Sequence, residues 1–359
     1  MAFLRAIAAT CIAVMIDGDA RVSAGRIVGW AVDGRPRPAP ALQRFEGVEP
    51  HMGTLVRITV FTTDEETARK ALRAGFDRIR DLDATLSDYV ADSELSRVTR
   101  EAVGTPVSVS ADLFAVLRAS QALAIDTRGA FDITQGPVIR LWREARKLKR
   151  VPDEAALREA SQRSGYRHMQ LDERRRKVSF DIPDMALDVG AIGKGYAASE
   201  ALTAITGAGV RSALVAVSGD LAFSDAPPGQ HGWRIRVHRG DVGDASVPPV
   251  LLLTHAAVST SGNAEQHLDV DGRRYSHVID PASKTGLLED ITVTVIAPHG
   301  MDADGLDTAI GVLGPVQGLA LVESRPDTAA LVVVRGNGAT RLHASRRMTE
   351  LSARAVTRP

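Results

Sequence analysis

The apolar segments of this chain occur in an order that suits few fold classes. Strand-like runs such as "SALVAVSGD", "ITVTVIAP" and "TAALVVVR" are interspersed with helical stretches, but not in the regular strand–helix–strand rhythm of a parallel sheet. The order predicts an α+β fold, with a largely antiparallel or mixed sheet and flanking helices. No linker long enough to separate two domains follows residue 50, so we expect one compact domain.

Local signals place several elements of this fold. The stretch "LVRITVFT" at 55–62 alternates in polarity as a strand does, and Asp64 is placed to begin a long helix. Ser110 is a candidate cap for a second helix, and a third is expected near 153–164. The segment "HMQLDERRRKVSF" predicts a hairpin whose charged middle forms the turn.

The two ends differ in composition from the rest of the chain. Residues 1–22 include the apolar run "FLRAIAATCIAVMI", of about signal-peptide length, and the only cysteine, Cys11. They predict either a signal or anchor segment of an exported, periplasmic or inner-membrane-associated protein, or an ordinary buried segment. The proline-rich stretch "DGRPRPAPA" makes 23–48 a predicted linker, followed by a domain at 49–346 and a tail at 347–359.

The charge balance argues against a nucleic-acid-binding function. The 359-residue chain carries 44 basic and 44 acidic side chains, so its formal net charge of zero gives no general attraction to a polyanion. Local basic runs at Arg143–Arg150 and Arg174–Lys177 are interpreted as solvated faces or turns.

Acidic side chains are concentrated at the start of an otherwise apolar helix, "MDADGLDTAIGVLG". Asp304, Asp307 and Thr308 stand at i, i+3 and i+4, and therefore share one helix face. A helix N-cap accounts for one aspartate there but not for three oxygen-bearing side chains on one face. Two carboxylates that close repel each other unless a cation lies between them, and hard oxygen ligands suit Mg²⁺. Metal binding and simple capping both remain open at this point.

The glycine-rich bend in "LDVGAIGKGYA" precedes an alanine-rich helix. Its glycines, Gly190, Gly193 and Gly195, fit neither the dinucleotide fingerprint nor the P-loop. Free backbone N–H groups, the helix dipole and Lys194 would still favour a phosphate. A tight strand-to-helix turn with a solvent-facing lysine explains the pattern equally well.

His277 lies at a strand end in "HVIDPASKTG". An isolated histidine is more often structural than catalytic, yet loop edges beside strands commonly carry catalytic groups, and histidine titrates near neutral pH.

Taken together, these segments resemble the ApbE family, the FAD:protein FMN transferases or flavin transferases. The resemblance extends from about residue 49 to about residue 336. It is carried by "LSDYVADSELSRV", "GAFDITQGPVIRLW", "LDVGAIGKGYAA", "STSGNAEQ", "YSHVIDPASKTG" and "DADGLDTAIGVLG", which occur in the family's order.

The resemblance implies a Mg²⁺-dependent reaction with FAD as substrate. FMN would pass to a threonine or serine hydroxyl of an acceptor protein, and AMP would be released. By the same resemblance, the metal ligands are Asp304, Asp307, Thr308 and the backbone carbonyl of Ala191. His277 is the implied base for the acceptor hydroxyl, although it could instead position the phosphates.

The resemblance also implies which residues contact FAD and which support them. The FAD contacts are Met52, Tyr89, Ala130, Phe131, Asp132, Asp188, Lys194 and Ile279. The supporting residues are Gly219, Asp220 and Glu265. Gln135 departs from the family pattern, where an apolar residue is usual.

Two other functions remain open from the sequence. One is a Mg²⁺-dependent FAD pyrophosphatase giving FMN and AMP, and the other is an FAD-binding protein without turnover. For a transferase, relatives imply an acceptor such as a subunit of a membrane redox complex or a periplasmic flavoprotein.

Overall fold

The computed structural model describes residues 28–30, 36–38, 40–239, 247–262, 267–336 and 338–356. The predicted signal or anchor segment and Glu265 lie outside these residues.

Within the described residues, the helices differ widely in length. They are α1 Glu65–Leu86, α2 Glu94–Glu101, α3 Ala111–Asp126, α4 Gly136–Leu148, α5 Glu154–Gln162, α6 Gly193–Gly207, α7 Gly300–Glu323 and α8 Arg346–Val356.

The strands are mostly short, and the longer ones belong to one sheet. They are β1 Val28–Trp30, β2 Pro36–Pro38, β3 Gln43–His51, β4 Thr54–Thr62, β5 Val107–Ser108, β6 Met169–Asp172, β7 Lys177–Phe180, β8 Ser212–Val217, β9 Asp220–Phe223, β10 Trp233–Arg236, β11 Val250–Leu253, β12 Ala256–Gly262, β13 His267–Val270, β14 Arg273–Ser276, β15 Ile279–Asp280, β16 Thr285–Gly286, β17 Asp290–Ala297, β18 Ala329–Gly336 and β19 Ala339–Ala344.

An eight-stranded sheet organises the molecule, with the strand order β19-β18-β17-β12-β9-β8-β4-β3. Each neighbouring pair in it is antiparallel. The predicted α+β class, with an antiparallel sheet and flanking helices, is confirmed.

Side chains of the central strands alternate between two cores, one on each face of the sheet. Ala213 and Val215 of β8 pack in a cluster with residues of α1 and α6, whereas Leu214 packs with Trp233 of the β10–β11 hairpin. This alternation follows from the two-residue repeat of a strand, so the sheet is covered on both faces. Met348 of α8 belongs to the second core.

Helix caps and turns form where the sequence places them. The Asp64 carboxylate accepts a hydrogen bond from the Thr67 N–H at 2.8 Å, and the Ser110 hydroxyl accepts one from the Leu113 N–H at 3.2 Å. Each satisfies a donor that a helix N-terminus leaves free.

Three segments differ from the sequence-based description. Strand β3 begins at Gln43, inside the predicted linker, and α8 lies in the predicted tail with Met348 fully buried. The run Arg143–Arg150 is mostly helix α4. Both helices are rich in charged residues, which resemble solvated segments in the sequence, yet each buries apolar side chains such as Trp142 and Met348.

Helix α7 is apolar because it packs in the interior of the protein. It has the length and composition of a membrane span, but it packs on β12 and β17 and against α6, as a core helix of a globular domain does. Gly314, at φ 73°, and Pro315 interrupt its helical geometry.

Helices α6 and α7 touch backbone to backbone near their N-termini. An added Cβ at Gly195 would lie 2.1 Å from the Gly300 carbonyl oxygen and 2.7 Å from the Asp304 Cβ. A Cβ at Gly300 would lie 2.0 Å from the Gly195 carbonyl oxygen. Only glycine permits this approach, which brings the start of the glycine-bend helix against the acidic turn of α7.

We expect Gly195→Ala to lower the free energy of unfolding by at least about 1–3 kcal/mol, because the new methyl group must push the two helices apart. Gly207→Ala, on the same helix with no heavy atom within 4 Å of its added Cβ, should leave stability unchanged or slightly raised. Urea denaturation measures both, and equal stabilities would contradict the close-contact argument.

Candidate active site

The acidic turn of α7 faces the interior of the protein. Asp304 and Asp307 are only 3% and 1% exposed, and Thr308 is half-buried. The Gly195 N–H donates to Asp304 Oδ2 at 2.9 Å, and the Thr308 hydroxyl donates to Asp307 Oδ1 at 3.2 Å. The three residues therefore share one turn, and the α6 backbone contact holds its first carboxylate in place.

A third carboxylate and a hydroxyl complete this buried group. The Ser259 hydroxyl lies 2.6 Å from Asp307 Oδ2 and also within hydrogen-bond distance of Asp220 Oδ1. A single hydroxyl hydrogen can be donated to only one of these carboxylates at a time. The sequence predicts Asp220 only as a supporting residue and does not indicate Ser259, which lies within strand β12.

Lys194 supplies the positive charge of the group. Its Nζ lies 3.0 Å from Asp220 Oδ2, 3.5 Å from Asp304 Oδ1 and 3.0 Å from the Gly190 carbonyl oxygen. Although burial opposes the charged form, the charges of Asp220 and Asp304 raise the pKa of Lys194 above its ordinary value. The lysine predicted to contact FAD thus also neutralises buried carboxylates.

With all its members ionised, the group has an excess of two negative charges. Burial, and next the charge of Asp220, raise the pKa of Asp304 to about 7. Burial and the charge of Asp304 raise the pKa of Asp307 well above its usual range. Both shifts reflect burial first and neighbouring carboxylates second, which the charge of Lys194 offsets only in part.

The donor set fits a hard divalent cation. A charge of +2 would balance the excess, and carboxylate and hydroxyl oxygens are the ligands that Mg²⁺ prefers. Among the described residues, no three His, Cys, Asp or Glu side chains are placed to hold a metal ion. A cation here would therefore also need hydroxyl, backbone carbonyl or substrate oxygens.

The glycine bend adjoins the acidic turn. The Gly190 carbonyl accepts from Lys194, and Gly195 donates to Asp304, so residues on both sides of Ala191 contact the acidic group. The Asp188 carboxylate accepts the Gly190 N–H at 2.9 Å, which fixes the start of the bend.

Arg143 connects this bend to Tyr89. Its guanidinium donates to Asp188 Oδ2 at 2.6 Å and to Asp88, and it lies 4.5 Å from the centre of the Tyr89 ring. Tyr89 itself is 76% exposed, so much of its ring is accessible to a ligand. The interpretation of Arg143 as part of a solvated face is wrong, because α4 turns this side chain toward two carboxylates.

Asp132 organises the loop before α4. Its carboxylate accepts hydrogen bonds from both the N–H and the hydroxyl of Thr134, from the Gln135 amide and from the Tyr166 N–H. Phe131 is buried in the core and Ala130 is half-buried. In this structure the Asp132 carboxylate orders the loop, and contact of the tripeptide with FAD stays a prediction.

Met52 occupies the turn between β3 and β4. Met52 and Gly53 have φ of 51° and 71°, and the Met52 N–H donates to the Asp83 carboxylate at 2.9 Å. Both positive angles match the tight hairpin turn that glycine normally favours. The turn leaves the Met52 side chain packed against two hydrophobic cores.

His277 lies between β14 and β15, shortly before the loop at 281–284, which α4 contacts. The Trp142 indole N–H donates to the Lys284 carbonyl at 2.8 Å, and Ile279 packs in the same cluster as Trp142. His277 is half-buried. Successive residues of α4, Trp142 and Arg143, thus fix this loop and the Tyr89 cluster.

Comparison with known proteins decides the family. Residues 52–332 match the sequence profile of the ApbE family. The chain belongs to the ApbE family. The matched range contains every residue predicted to contact FAD or a metal, and it begins at Met52.

The curated relatives include two FAD:protein FMN transferases of similar length. That of Klebsiella pneumoniae (strain 342) is 33% identical over 293 residues, covering 80% of this chain and 83% of that protein. That of Salmonella typhimurium is 30% identical over 305 residues, covering 84% and 87%.

Solved structures of the family share the fold. The apo form of Pseudomonas stutzeri flavinyl transferase ApbE has a TM-score of 0.76 and 30% identity, covering 87% of this chain and 96% of that chain. The flavin transferase ApbE from Vibrio cholerae has a TM-score of 0.76 and 26% identity, covering 86% and 99%.

We expect Lys194→Met to lower the free energy of unfolding of the metal-free protein by about 3 kcal/mol at neutral pH, because it leaves buried carboxylates without their cation. The loss should shrink as pH falls below the Asp304 pKa of about 7, since a protonated carboxyl needs no counterion. Urea denaturation in chelator measures this.

Lys70→Met is the matched control. It removes an exposed lysine that pairs with Glu66 within α1, and should cost less than about 1 kcal/mol. Equal losses for the two variants, or a loss at Lys194 that does not depend on pH, would contradict the charge argument.

Proposed function

We propose that this chain is a FAD:protein FMN transferase that transfers FMN from FAD to a threonine or serine hydroxyl of an acceptor flavoprotein and releases AMP, with Mg²⁺ as cofactor. The observation that supports it most is the buried acidic group beside the glycine bend, with its excess of negative charge. Membership of the ApbE family and the named activity of its relatives support the same reaction.

The acidic turn and the bend would hold the cation between them. Asp304, Asp307 and Thr308 would supply side-chain oxygens, and Ala191 a backbone carbonyl. Bound Mg²⁺ supplies charge neutralisation for the diphosphate of FAD. Lys194 and the N-terminus of α6 would add positive potential at the same end of the site.

The flavin half of FAD would lie against Tyr89, which offers an exposed aromatic ring on which a planar isoalloxazine can stack. Met52 and Ile279 would add apolar contacts. Arg143 restricts the Tyr89 ring, so less conformational entropy is lost on binding.

The chemical step exchanges one P–O bond for another. The acceptor hydroxyl oxygen bonds to the FMN phosphorus as the bond from that phosphorus to the oxygen bridging to AMP breaks. AMP leaves with that oxygen, and the hydroxyl proton passes to His277. A histidine suits this transfer because its pKa lies near the working pH.

The acceptor would present a hydroxyl group to the FMN phosphorus. It is a flavoprotein with an accessible threonine, such as a subunit of a membrane redox complex.

Asp304→Asn tests the metal site. It removes one negative charge with little change of shape, and we expect FMN transfer to fall at least about a hundredfold, because several kcal/mol of charge stabilisation is lost. Mass spectrometry of a threonine-bearing acceptor incubated with FAD and Mg²⁺ measures the FMN adduct. Thermal melting gives a second readout, since Mg²⁺ should raise the melting temperature of the unaltered protein but not of the variant.

Asp302→Asn is the control on the same helical turn, and should keep both transfer and the Mg²⁺-dependent rise. If Asp304→Asn kept both FMN transfer and the Mg²⁺-dependent rise in melting temperature, the proposed metal site would be wrong. Rapid AMP release by the unaltered protein in the absence of an acceptor would show that it is an FAD pyrophosphatase and not a transferase. Bound FAD that stays intact in both assays would favour a storage function.

His277→Gln tests the proton acceptor. We expect kcat for transfer to fall by about 10²–10⁴, while the Kd for FAD stays unchanged, because glutamine cannot take up the proton. His255→Gln, at an exposed histidine, is the control and should leave both values unchanged. A weakened Kd at unchanged kcat would assign His277 to phosphate positioning instead.

A further inference from the structure

Helix α4 directs two arginines toward the same region. Arg143 and Arg146 are three residues apart and half-buried, whereas Lys147 is exposed. Arg146 interacts electrostatically with Tyr89 and Asp188, the residues that border Arg143. The two guanidinium groups therefore lie in one neighbourhood beside the proposed flavin position.

Arg143 is fully engaged by the protein. It donates to Asp88 and Asp188, and its guanidinium covers Tyr89. Asp88 and Asp188 are therefore both paired with Arg143.

Arg146, unlike Arg143, is not paired with a carboxylate of the described residues. Among the residues that the structure describes, its side chain has no hydrogen bond or ion pair. Burial, and next the like charge of Arg143, lower the pKa of Arg146, while Tyr89 and Asp188 partly offset this effect. No Arg146 nitrogen is among the buried unpaired atoms of the described residues, so water can reach this guanidinium. An acceptor oxygen of a ligand could take the place of that water and offset the repulsion from Arg143.

We propose that Arg146 is a substrate-binding residue that donates to an acceptor oxygen of FAD beside Tyr89. This inference rests on the proposed function for the identity of the ligand. FAD offers suitable oxygens in two places, the diphosphate and the pyrimidine carbonyls of the flavin. Both match the planar fork of an arginine, and the Tyr89 ring would hold the flavin within its reach.

Arg146→Met removes the charge and the donors but keeps much of the apolar stem. We expect it to weaken FAD binding about ten- to hundredfold, the usual effect of losing a charge-assisted hydrogen bond. Lys147→Met, one residue along the same helix, removes the same charge from the exposed side and should change the Kd by less than about twofold. Flavin fluorescence titration with FAD measures both, and melting curves verify that the variants fold.

Two part-ligands identify the oxygen. Riboflavin carries the flavin carbonyls without phosphate, and ADP carries the diphosphate without flavin. A loss with riboflavin and FAD assigns Arg146 to the carbonyls, and a loss with ADP and FAD assigns it to the diphosphate; either result supports the inference. Arg146→Lys keeps the charge but loses the fork, and should give an intermediate loss even if the methionine variant folds poorly.

The possible failures are distinguishable. If the unaltered protein binds FAD and Arg146→Met binds it as well as Lys147→Met does, this inference is wrong while the proposed function stands. If both variants weaken binding equally, the effect is one of general charge and the inference is also wrong. If the unaltered protein binds no FAD, the proposed function itself fails.

Discussion

The site depends on two helices meeting at glycine. Gly195 and Gly300 let α6 and α7 approach until their backbones touch, and the Gly195 N–H then reaches the Asp304 carboxylate. The same approach places Lys194, one residue earlier on α6, between Asp220 and Asp304. A larger residue at either glycine would separate the helix carrying the acids from the helix carrying their counterion.

This contact allows several charges to be buried together. Lys194 contacts two carboxylates and a carbonyl, yet an excess of negative charge remains whenever Asp304 and Asp307 are both ionised. Burying several carboxylates beside one lysine costs free energy, and apolar side chains of similar size could fill the same space without that cost. A cation and the phosphates of a substrate would relieve the excess, so the unfavourable electrostatics of the isolated chain are consistent with a binding site.

Helix α4 connects the remaining parts of the site. Trp142 donates to Lys284 in the loop that follows β15, and Arg143 contacts Tyr89 and Asp188. One rigid helix therefore positions groups that lie far apart in the sequence. Arg146 lies on the same helix, three residues beyond Arg143, and is the residue that we propose binds an acceptor oxygen of FAD.

The sequence by itself determined the elements whose signals are local. The caps at Asp64 and Ser110, the acidic turn at Asp304 and Asp307, the glycine bend and the α+β class all follow from residue types at short spacings. The order of these motifs also determined the family. For the caps, the acidic turn and the bend, the information lies within one or two helical turns, whereas the fold class and the family follow from the order of such segments along the chain.

Only the tertiary structure decided which charges meet. Lys194 and Asp304 are 110 positions apart, and Arg143 and Asp188 are 45 apart. Nothing local distinguishes an arginine that faces a carboxylate from one that faces water, so the sequence alone does not separate Arg143 from the exposed residues that follow it in the same run. The partner comes from another element, and only packing of the helices against one sheet brings the two together.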